Sequence, residues 1–312
     1  MFHCKLCNHE VDVLTSVSTA ALVSAWNAQG VLISPPEFKE VFLMHCPHCS
    51  FESWQPEWVG DGNFYAQLSS FAWYYESSKW EYYKALAWLK KDAKVLEVGC
   101  GKGEFLKLLA ANSVEAIGLD TNLDAIEVAK SNGLNVIGVD LQDYSASTAE
   151  KFDVVCHFQV LEHIPEPLQF LGTCAKLLNP DGEIWMATPN QDSFIRYAPF
   201  LLLNLPPHHQ TRWTVSAYQA ASQKLDLHLN QVEFEPLHKL HTGWALQCLL
   251  NKYFQVGIDR PYFKSERSLW KWIALRLAEL LGKIVFYPKW IRNRIRGHSI
   301  LVSTRKLNSH LG

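Results

Sequence analysis

The run Val95-Leu-Glu-Val enters a turn with glycines at 99, 101 and 103, and an amphipathic segment from Phe105 to Ala111 follows at once. This strand–turn–helix junction constrains the fold more than any other part of the chain. Glycine is needed where backbone turns sharply with positive φ and a ligand approaches closely. The order is Glu97-x-Gly-x-Gly-x-Gly, with an acid two residues ahead of the first glycine. A carboxylate there repels a pyrophosphate and suits a cationic amino group, which argues against a dinucleotide.

Downstream, strand patterns alternate with helix patterns. Residues 116–120 read as a buried strand ending in Asp120, about 20 residues after the glycine turn, where an acid accepts hydrogen bonds from ribose hydroxyls. Residues 135–140 read as a third strand ending at Asp140-Leu141-Gln142. Residues 152–158 form a fourth, running into Gln159-Val-Leu-Glu-His-Ile-Pro165. Asn179-Pro-Asp-Gly182 reads as a tight turn before a fifth at 183–188. Such alternation predicts an α/β fold whose parallel sheet is covered by helices on both faces.

The glycine pattern resembles motif I of the class I S-adenosylmethionine-dependent methyltransferases, and residues 152–165 resemble their motif IV. The resemblance covers about residues 80–237. It implies a Rossmann-like seven-stranded methyltransferase sheet. It also implies cofactor contacts from Glu97, Gly99, Cys100, Gly101, Gly103, Asp120, Thr121, Asp140, Leu141, Phe158 and Gln159. In that family a helix over the cofactor often contributes an aromatic side chain. Tyr65, Tyr74 and Tyr75 are the candidates, within an aromatic stretch from 64 to 89 that otherwise reads as packing.

Cys4-Lys-Leu-Cys7 and Cys46-Pro-His-Cys49 form two Cys-x-x-Cys knuckles. Four thiolates close a tetrahedral zinc site and leave no open position, so a structural Zn2+ in a small zinc-ribbon-like module is expected. The domains expected are 1–60, the zinc-binding module; 61–237, the methyltransferase core; 238–298, a helical basic insertion; and 299–312, the last core strand and tail.

Ligands of open α/β sheets sit beyond the carboxyl ends of the strands, which places a methyl acceptor near Gln159–His163. Leu161-Glu162-His163 resembles a motif of ubiquinone-biosynthesis O-methyltransferases and small-RNA 2′-O-methyltransferases. The metal-using members carry a glutamate where this chain has Gln159, a poorer ligand for magnesium. The loop Leu205-Pro-Pro-His-His-Gln-Thr-Arg-Trp-Thr214 should hang over the same mouth. It resembles methyltransferases associated with surface-polysaccharide and glycolipid biosynthesis. Its His208 and His209 are the candidate general bases, with His163 third. Arg212 beside Trp213 offers an anion fork and a flat apolar face, a pairing suited to sugars.

The net charge of −2 hides an asymmetry, because twelve Lys or Arg and only two acids lie between Arg260 and Lys306. Residues 268–285 are amphipathic, with Lys271, Arg276, Glu279 and Lys283 on one face. Leu269, Ile273, Leu277, Leu280, Leu281 and Ile284 form the other, and Trp270, Trp272 and Trp290 add amphipathic rings. Residues 268–296 therefore suit contact with an anionic bilayer surface, or a structural cap. No signal-like or membrane-spanning run is visible, so a cytoplasmic location is expected, with the inner membrane face as a peripheral site.

The reading is an enzyme that methylates a small-molecule acceptor, a hydroxyl of a sugar or lipid-linked glycan. The rivals are an rRNA or tRNA methyltransferase that grips RNA with its zinc module, and a non-catalytic cofactor-binding interaction protein. A module without excess positive charge disfavours the nucleic acid, and the intact glycine loop with Asp120 and Asp140 disfavours the interaction protein.

Overall fold

A computed structural model describes residues 2–71, 74, 78–254 and 269–306. The chain opens with β1 (Asp12–Ser18), α1 (Thr19–Asn27), β2 (Glu40–His45) and β3 (Glu52–Gln55), followed by α2 (Gly62–Ser69) and α3 (Trp80–Trp88). A regular alternation then begins: β4 (Lys94–Val98), α4 (Glu104–Ala111), β5 (Glu115–Asp120), α5 (Leu123–Ser131), β6 (Val136–Gly138), α6 (Leu141–Ser147), β7 (Phe152–Phe158), α7 (Pro167–Lys176) and β8 (Leu178–Pro189). After it come β9 (Thr211–Arg212), α8 (Val215–Lys224), β10 (Leu227–Pro236), α9 (Thr242–Phe254), α10 (Leu269–Val285), α11 (Lys289–Arg292) and β11 (Arg296–Lys306).

Seven strands form the main sheet in the order β10-β11-β8-β7-β4-β5-β6. The five from β8 to β6 are parallel, and β11 runs antiparallel to both β8 and β10. Side chains alternate along each strand, so the sheet feeds two cores. Leu96, Val155, Ile184, Met186 and Val302 pack under α7 and α8, while Val95, Val154, Cys156, Trp185 and Leu301 pack under α3, α4 and α5. This is the Rossmann-like methyltransferase sheet, covered on both faces. The chain order reverses at β4, whose neighbours β5 and β7 lie on opposite sides, and such a switch point opens a crevice at the strand ends.

Strand ends differ from the sequence expectation: β6 spans only Val136–Gly138 of the expected 135–140, β11 begins at Arg296 and not at 299, and β8 begins earlier than 183. Asn179–Gly182 does not close a turn ahead of the fifth parallel strand. It is carried inside β8 as an irregularity in which Asp181 adopts φ 64 and the register with β7 slips between Phe152 and Val154.

The N-terminal segment is tied to the core by a second sheet, in the order β1-β2-β3-β9. Its last strand comes from the loop that follows β8. Glu52 pairs across this sheet with Arg212, and the two side chains form an ion pair at 3.3 Å. Arg212 is 4% exposed, donates to the carbonyls of Pro199 and Asn204, and lies over the Trp54 ring. Trp213 is fully buried against Phe51. The expected sugar platform of Arg212 and Trp213 is therefore corrected: both serve as struts between the segments, Arg212 through the pairing of β9 with β3 and Trp213 through its burial against Phe51.

Removing one partner of a buried ion pair strands the other charge. Arg212→Ala should cost on the order of 3 kcal/mol in denaturant unfolding, and pairing Arg212→Met with Glu52→Leu should recover part of it. Burial pushes the Glu52 carboxyl up, but His45 and Arg212 outweigh that and hold it below its ordinary value. Its stabilisation is therefore fully present above the ordinary carboxylate range and lost as pH falls through the depressed value, an acid-side loss of wild-type stability that Glu52→Gln should lack.

Candidate active site

The turn after β4 consists of glycines whose backbones lie in the left-handed region: Gly99 at φ 72, Gly101 at 52 and Gly103 at 78. The carbonyl of Leu119 at the end of β5 accepts hydrogen bonds from the N–H groups of both Gly99 and Cys100. A Cβ on Gly99 would stand 2.5 Å from Val160, and one on Gly103 would stand 2.4 Å from Leu134. The turn is thus wedged between β5 and the segment after β7, and side chains are excluded by backbone and by contact.

Two acids flank this cradle. Asp120 receives the Gly101 N–H at 2.6 Å on Oδ2 and the Asn122 N–H at 2.8 Å on Oδ1. Each carboxylate oxygen keeps lone-pair capacity for ribose hydroxyls. Glu97 is 2% exposed, and its Oε2 has no hydrogen-bond partner among the described residues. Burial pushes its carboxyl well above the usual range, with the Lys79 charge pulling the other way. An orphaned buried carboxylate oxygen beside a glycine cradle fits a ligand that brings a cationic amino group, as S-adenosylmethionine does.

The other cofactor candidates divide by what their side chains do. Asp140 caps α6 through the Asp143 N–H at 2.9 Å. Leu141 and Cys100 are buried, and the Phe158 ring packs on Phe105 and Tyr82 at 4.8 and 5.2 Å. These three offer a ligand backbone rather than side chain. Thr121 follows Asp120 at the mouth of the crevice. Gln159 takes φ 58 and donates from Nε2 to Glu81 at 2.9 Å and to Ser299 at 3.3 Å. A cavity of about 340 Å3, lined by Trp88, Asp153, Glu183 and Arg305 among others, lies at the opposite end of the strands and shares none of these residues.

Beyond Gln159, a single 3-10 turn, Leu161–His163, presents Glu162 and His163. The loop before β9 folds over it and brings His208 and His209 against His163, with ring centroids 4.7 and 4.9 Å from it and 4.5 Å from each other. The sequence placed these histidines near one another only through the mouth of the sheet, and the structure gathers all three. Burial holds every one of them neutral, with His163 lowered to about 4 and His208 and His209 well below the ordinary imidazole value. Glu162 is equally buried and is pushed up to about 8 by desolvation. Its Oε1 lies 3.9 Å from His209 Nε2.

Tyr65 joins this group rather than the glycine cradle, its hydroxyl 3.2 Å from His163 Nδ1. The Tyr74 ring lies 6.0 Å from His208, and Tyr75 lies outside the described residues. Gln210 is a positioning residue that sequence reasoning missed. Its N–H donates to the Glu162 carbonyl at 2.7 Å, its carbonyl accepts from Trp54, and its amide is paired with Trp58. A lone glutamine in a loop gives no periodic signal.

Sγ atoms of Cys4 and Cys49, Cys7 and Cys46, and Cys7 and Cys49 are 3.6, 3.5 and 3.6 Å apart. All four thiols lie within 4.8 Å of one another. A tetrahedral zinc with bonds of about 2.3 Å implies edges of about 3.8 Å, so the set is compatible with a closed zinc site.

A family model described as a methyltransferase domain matches residues 76–235. The ubiquinone biosynthesis O-methyltransferase of Salmonella paratyphi A is 35% identical over 105 residues, 32% of this chain and 43% of that protein. The one from Haemophilus ducreyi is 38% identical over 108 residues, 31% and 46% of the respective chains. The chain thus spans less than half the length of these relatives. A solved SAM-dependent methyltransferase from Archaeoglobus fulgidus aligns with TM-score 0.49 and 21% identity, covering 72% of this chain and 91% of that one.

Asp120→Ala should weaken S-adenosylmethionine binding at least tenfold, about 1.4 kcal/mol, in isothermal calorimetry. Unchanged affinity in that variant would remove Asp120 from the ribose.

Proposed function

The chain belongs to the methyltransferase-domain family matched over residues 76–235, and from that premise we propose that it transfers the methyl group of S-adenosylmethionine to a hydroxyl of a sugar in a lipid-linked glycan. One contact carries the reading. Gly99 of the cofactor cradle abuts Val160, and Val160 leads directly into Glu162 and His163. A sulfonium methyl held by the cradle then faces the polar group formed by Glu162, His163, His208 and His209. The acceptor oxygen attacks the methyl carbon, the C–O bond forms as the C–S bond breaks, and the sulfur keeps the electron pair. The hydroxyl proton passes to the imidazole–carboxylate group. The sulfonium already makes the methyl electrophilic, so positioning in a dry site supplies much of the rate. The four N-terminal cysteines hold a structural Zn2+ in this reading, because a closed sulfur site has no position left for substrate.

The glycan's lipid anchor is supported by α10. Leu277, Leu280, Leu281 and Ile284 are 53, 58, 52 and 69% exposed, and Tyr287 and Trp290 beyond them are also exposed. Arg276 and Lys283 lie on the same helix, both paired with Glu279, and Lys289, Arg292 and Arg294 follow it in the chain. An exposed apolar helix face accompanied by such cations lies in a bilayer interface and brings the protein to its acceptor. The side chains of Trp270, Lys271 and Trp272 lie outside the described residues. No helix among the described residues is long and apolar enough to cross a membrane.

Incubation with methyl-labelled S-adenosylmethionine and a fractionated cell extract should put label into the glycolipid fraction. Label in RNA instead would overturn the acceptor. His209→Ala should lower turnover by roughly a hundredfold with cofactor affinity unchanged, and equal turnover would remove the imidazole from the step. Vesicles containing anionic lipid should sediment the protein at low salt and release it as salt rises, since each base near the surface contributes about 1 kcal/mol. Equal sedimentation with neutral vesicles would count against a role for these bases.

A further inference from the structure

Because β11 is antiparallel to both its neighbours, β10 runs in the direction of β8 and delivers α9 to the same edge of the sheet as the glycine cradle. His241, just ahead of α9, and Trp244 in its first turn meet His298 at the start of β11. Ring centroids are 5.4 Å apart for His241 and Trp244, 5.9 Å for His241 and His298, and 5.7 Å for Trp244 and His298. The His298 carbonyl accepts the Asn190 N–H at 2.6 Å, which ties the end of β8 to this group. Asn190 is fully buried, yet its Nδ2 has no hydrogen-bond partner among the described residues, and neither has the buried His241 Nδ1. Unpaired buried polar atoms destabilise a core, so two of them beside a half-buried indole call for a ligand that pairs with them. The group also adjoins the reacting centre. Gln159 bonds the hydroxyl of Ser299, next to His298, at 3.3 Å, and His298 is near enough to His209 to disfavour a charge on it. Burial keeps His241 and His298 themselves neutral, lowered to about 4 and about 3.

We propose that Asn190, His241, Trp244 and His298 form the acceptor subsite and that it takes a neutral sugar ring. A pyranose presents a flat face of C–H bonds and a girdle of hydroxyls, each both donor and acceptor. The indole supplies a flat apolar surface for the first. Asn190 Nδ2 donates to a hydroxyl oxygen, and the His241 ring nitrogen bonds a second hydroxyl. A few fixed polar groups on an aromatic wall orient a small ligand, and none of these four side chains brings a charge to offset the desolvation of an anion. The same helix pair serves the lipid. A Cβ on Gly243 would stand 2.8 Å from the Glu279 side chain, and one on Gly282 would stand 2.5 Å from the Thr242 carbonyl, so α10 packs closely on the end of α9 that carries Trp244. Such packing fixes the exposed apolar face of α10 relative to the wall. The subsite fills the place that Arg212 and Trp213, turned inward, leave open. That the bound ring is the one methylated rests on the sugar-hydroxyl reading above; binding of the ring does not.

Saturation-transfer NMR with the methyl glycosides of glucose, galactose and mannose, added to the full-length protein together with S-adenosylhomocysteine, tests the subsite. At least one glycoside should bind, with the strongest transfer to the C–H protons of one ring face. Trp244→Leu should weaken that binding about tenfold, and Trp244→Tyr should retain most of it. Affinity for S-adenosylhomocysteine in calorimetry should be the same in both variants. Glycoside binding unchanged in both Trp244→Leu and His241→Ala would overturn the subsite, and so would wild-type protein that binds none of the three. Catechol bound in place of the glycosides would overturn the sugar, and glucose 1-phosphate or glucuronate bound more tightly than the neutral rings would overturn the neutral class. Should the variants fail to fold, a diazirine-bearing glycoside irradiated on wild-type protein decides. It should label peptides within 190–198, 238–252 or 296–300, and label confined to other peptides would overturn the placement. Failure of S-adenosylhomocysteine to bind wild-type protein would instead count against the methyltransferase reading and leave the glycoside result standing.

Discussion

The rest of the site depends on the close packing of the glycine turn. Leu119 offers one carbonyl to two successive N–H groups, and Val160 leaves no room for a Cβ at Gly99. Those two contacts fix the turn at the point where β5 and β7 diverge, so a ligand in the cradle lies against both. Gly118 extends the constraint, since a Cβ there would meet Cys100 Sγ at 2.7 Å. The three left-handed glycines are costly in the unfolded chain's entropy, and at Gly99 and Gly103 the packing leaves no room for a Cβ.

Glu97 and Glu162 show why that close packing matters for chemistry. Both are carboxyls at nearly complete burial, and desolvation raises both. A core would not retain two such groups for stability, because burying an unpaired charge or an unsatisfied oxygen destabilises. They sit on either side of the Gly99–Val160 contact, one before the cradle and one after the acceptor strand. Perturbed acids on both sides of one crevice are the electrostatic mark of a ligand site rather than of packing.

The parallel strands, the acids at their ends and the glycine cradle were legible because each has a local signature: a period, a turn residue or a spacing. The strand from Leu178 was harder to delimit, since a left-handed Asp181 looks like a turn in the sequence and a bulge in the sheet. Arg212 and Trp213 were misassigned for a reason of range. An arginine beside a tryptophan in a proline-stiffened loop has the composition of a binding platform, and only the pairing of β9 with a strand some 160 positions earlier turns it inward. The convergence of His163 with His208 and His209 is likewise a tertiary fact. The adjacent pair was visible, but the neutral state of all three depends on burial that only the fold supplies.

That dependence reaches into the N-terminal segment. Gln210 holds the Glu162 carbonyl on one side and the Trp54 and Trp58 backbones on the other. Thr211 adds a bond from its hydroxyl to the Leu161 carbonyl at 3.1 Å. Lys5, inside the first cysteine knuckle, bonds the Pro165 carbonyl and Glu166 just past the same turn. Cys4, Cys46 and Cys49 lie in one core with Trp213 and Tyr218. The cysteine cluster therefore does more than staple its own strands. Strands β2 and β3 are joined by the Cys46–Cys49 knuckle, β3 carries β9, and β9 continues the loop that delivers His208 and His209. A shift at the knuckle is transmitted through a hydrogen-bonded sheet and a packed core, neither of which deforms continuously. Orientation of the three imidazoles is thus set from both ends, by the methyltransferase sheet through Val160 and by the cysteine segment through Gln210.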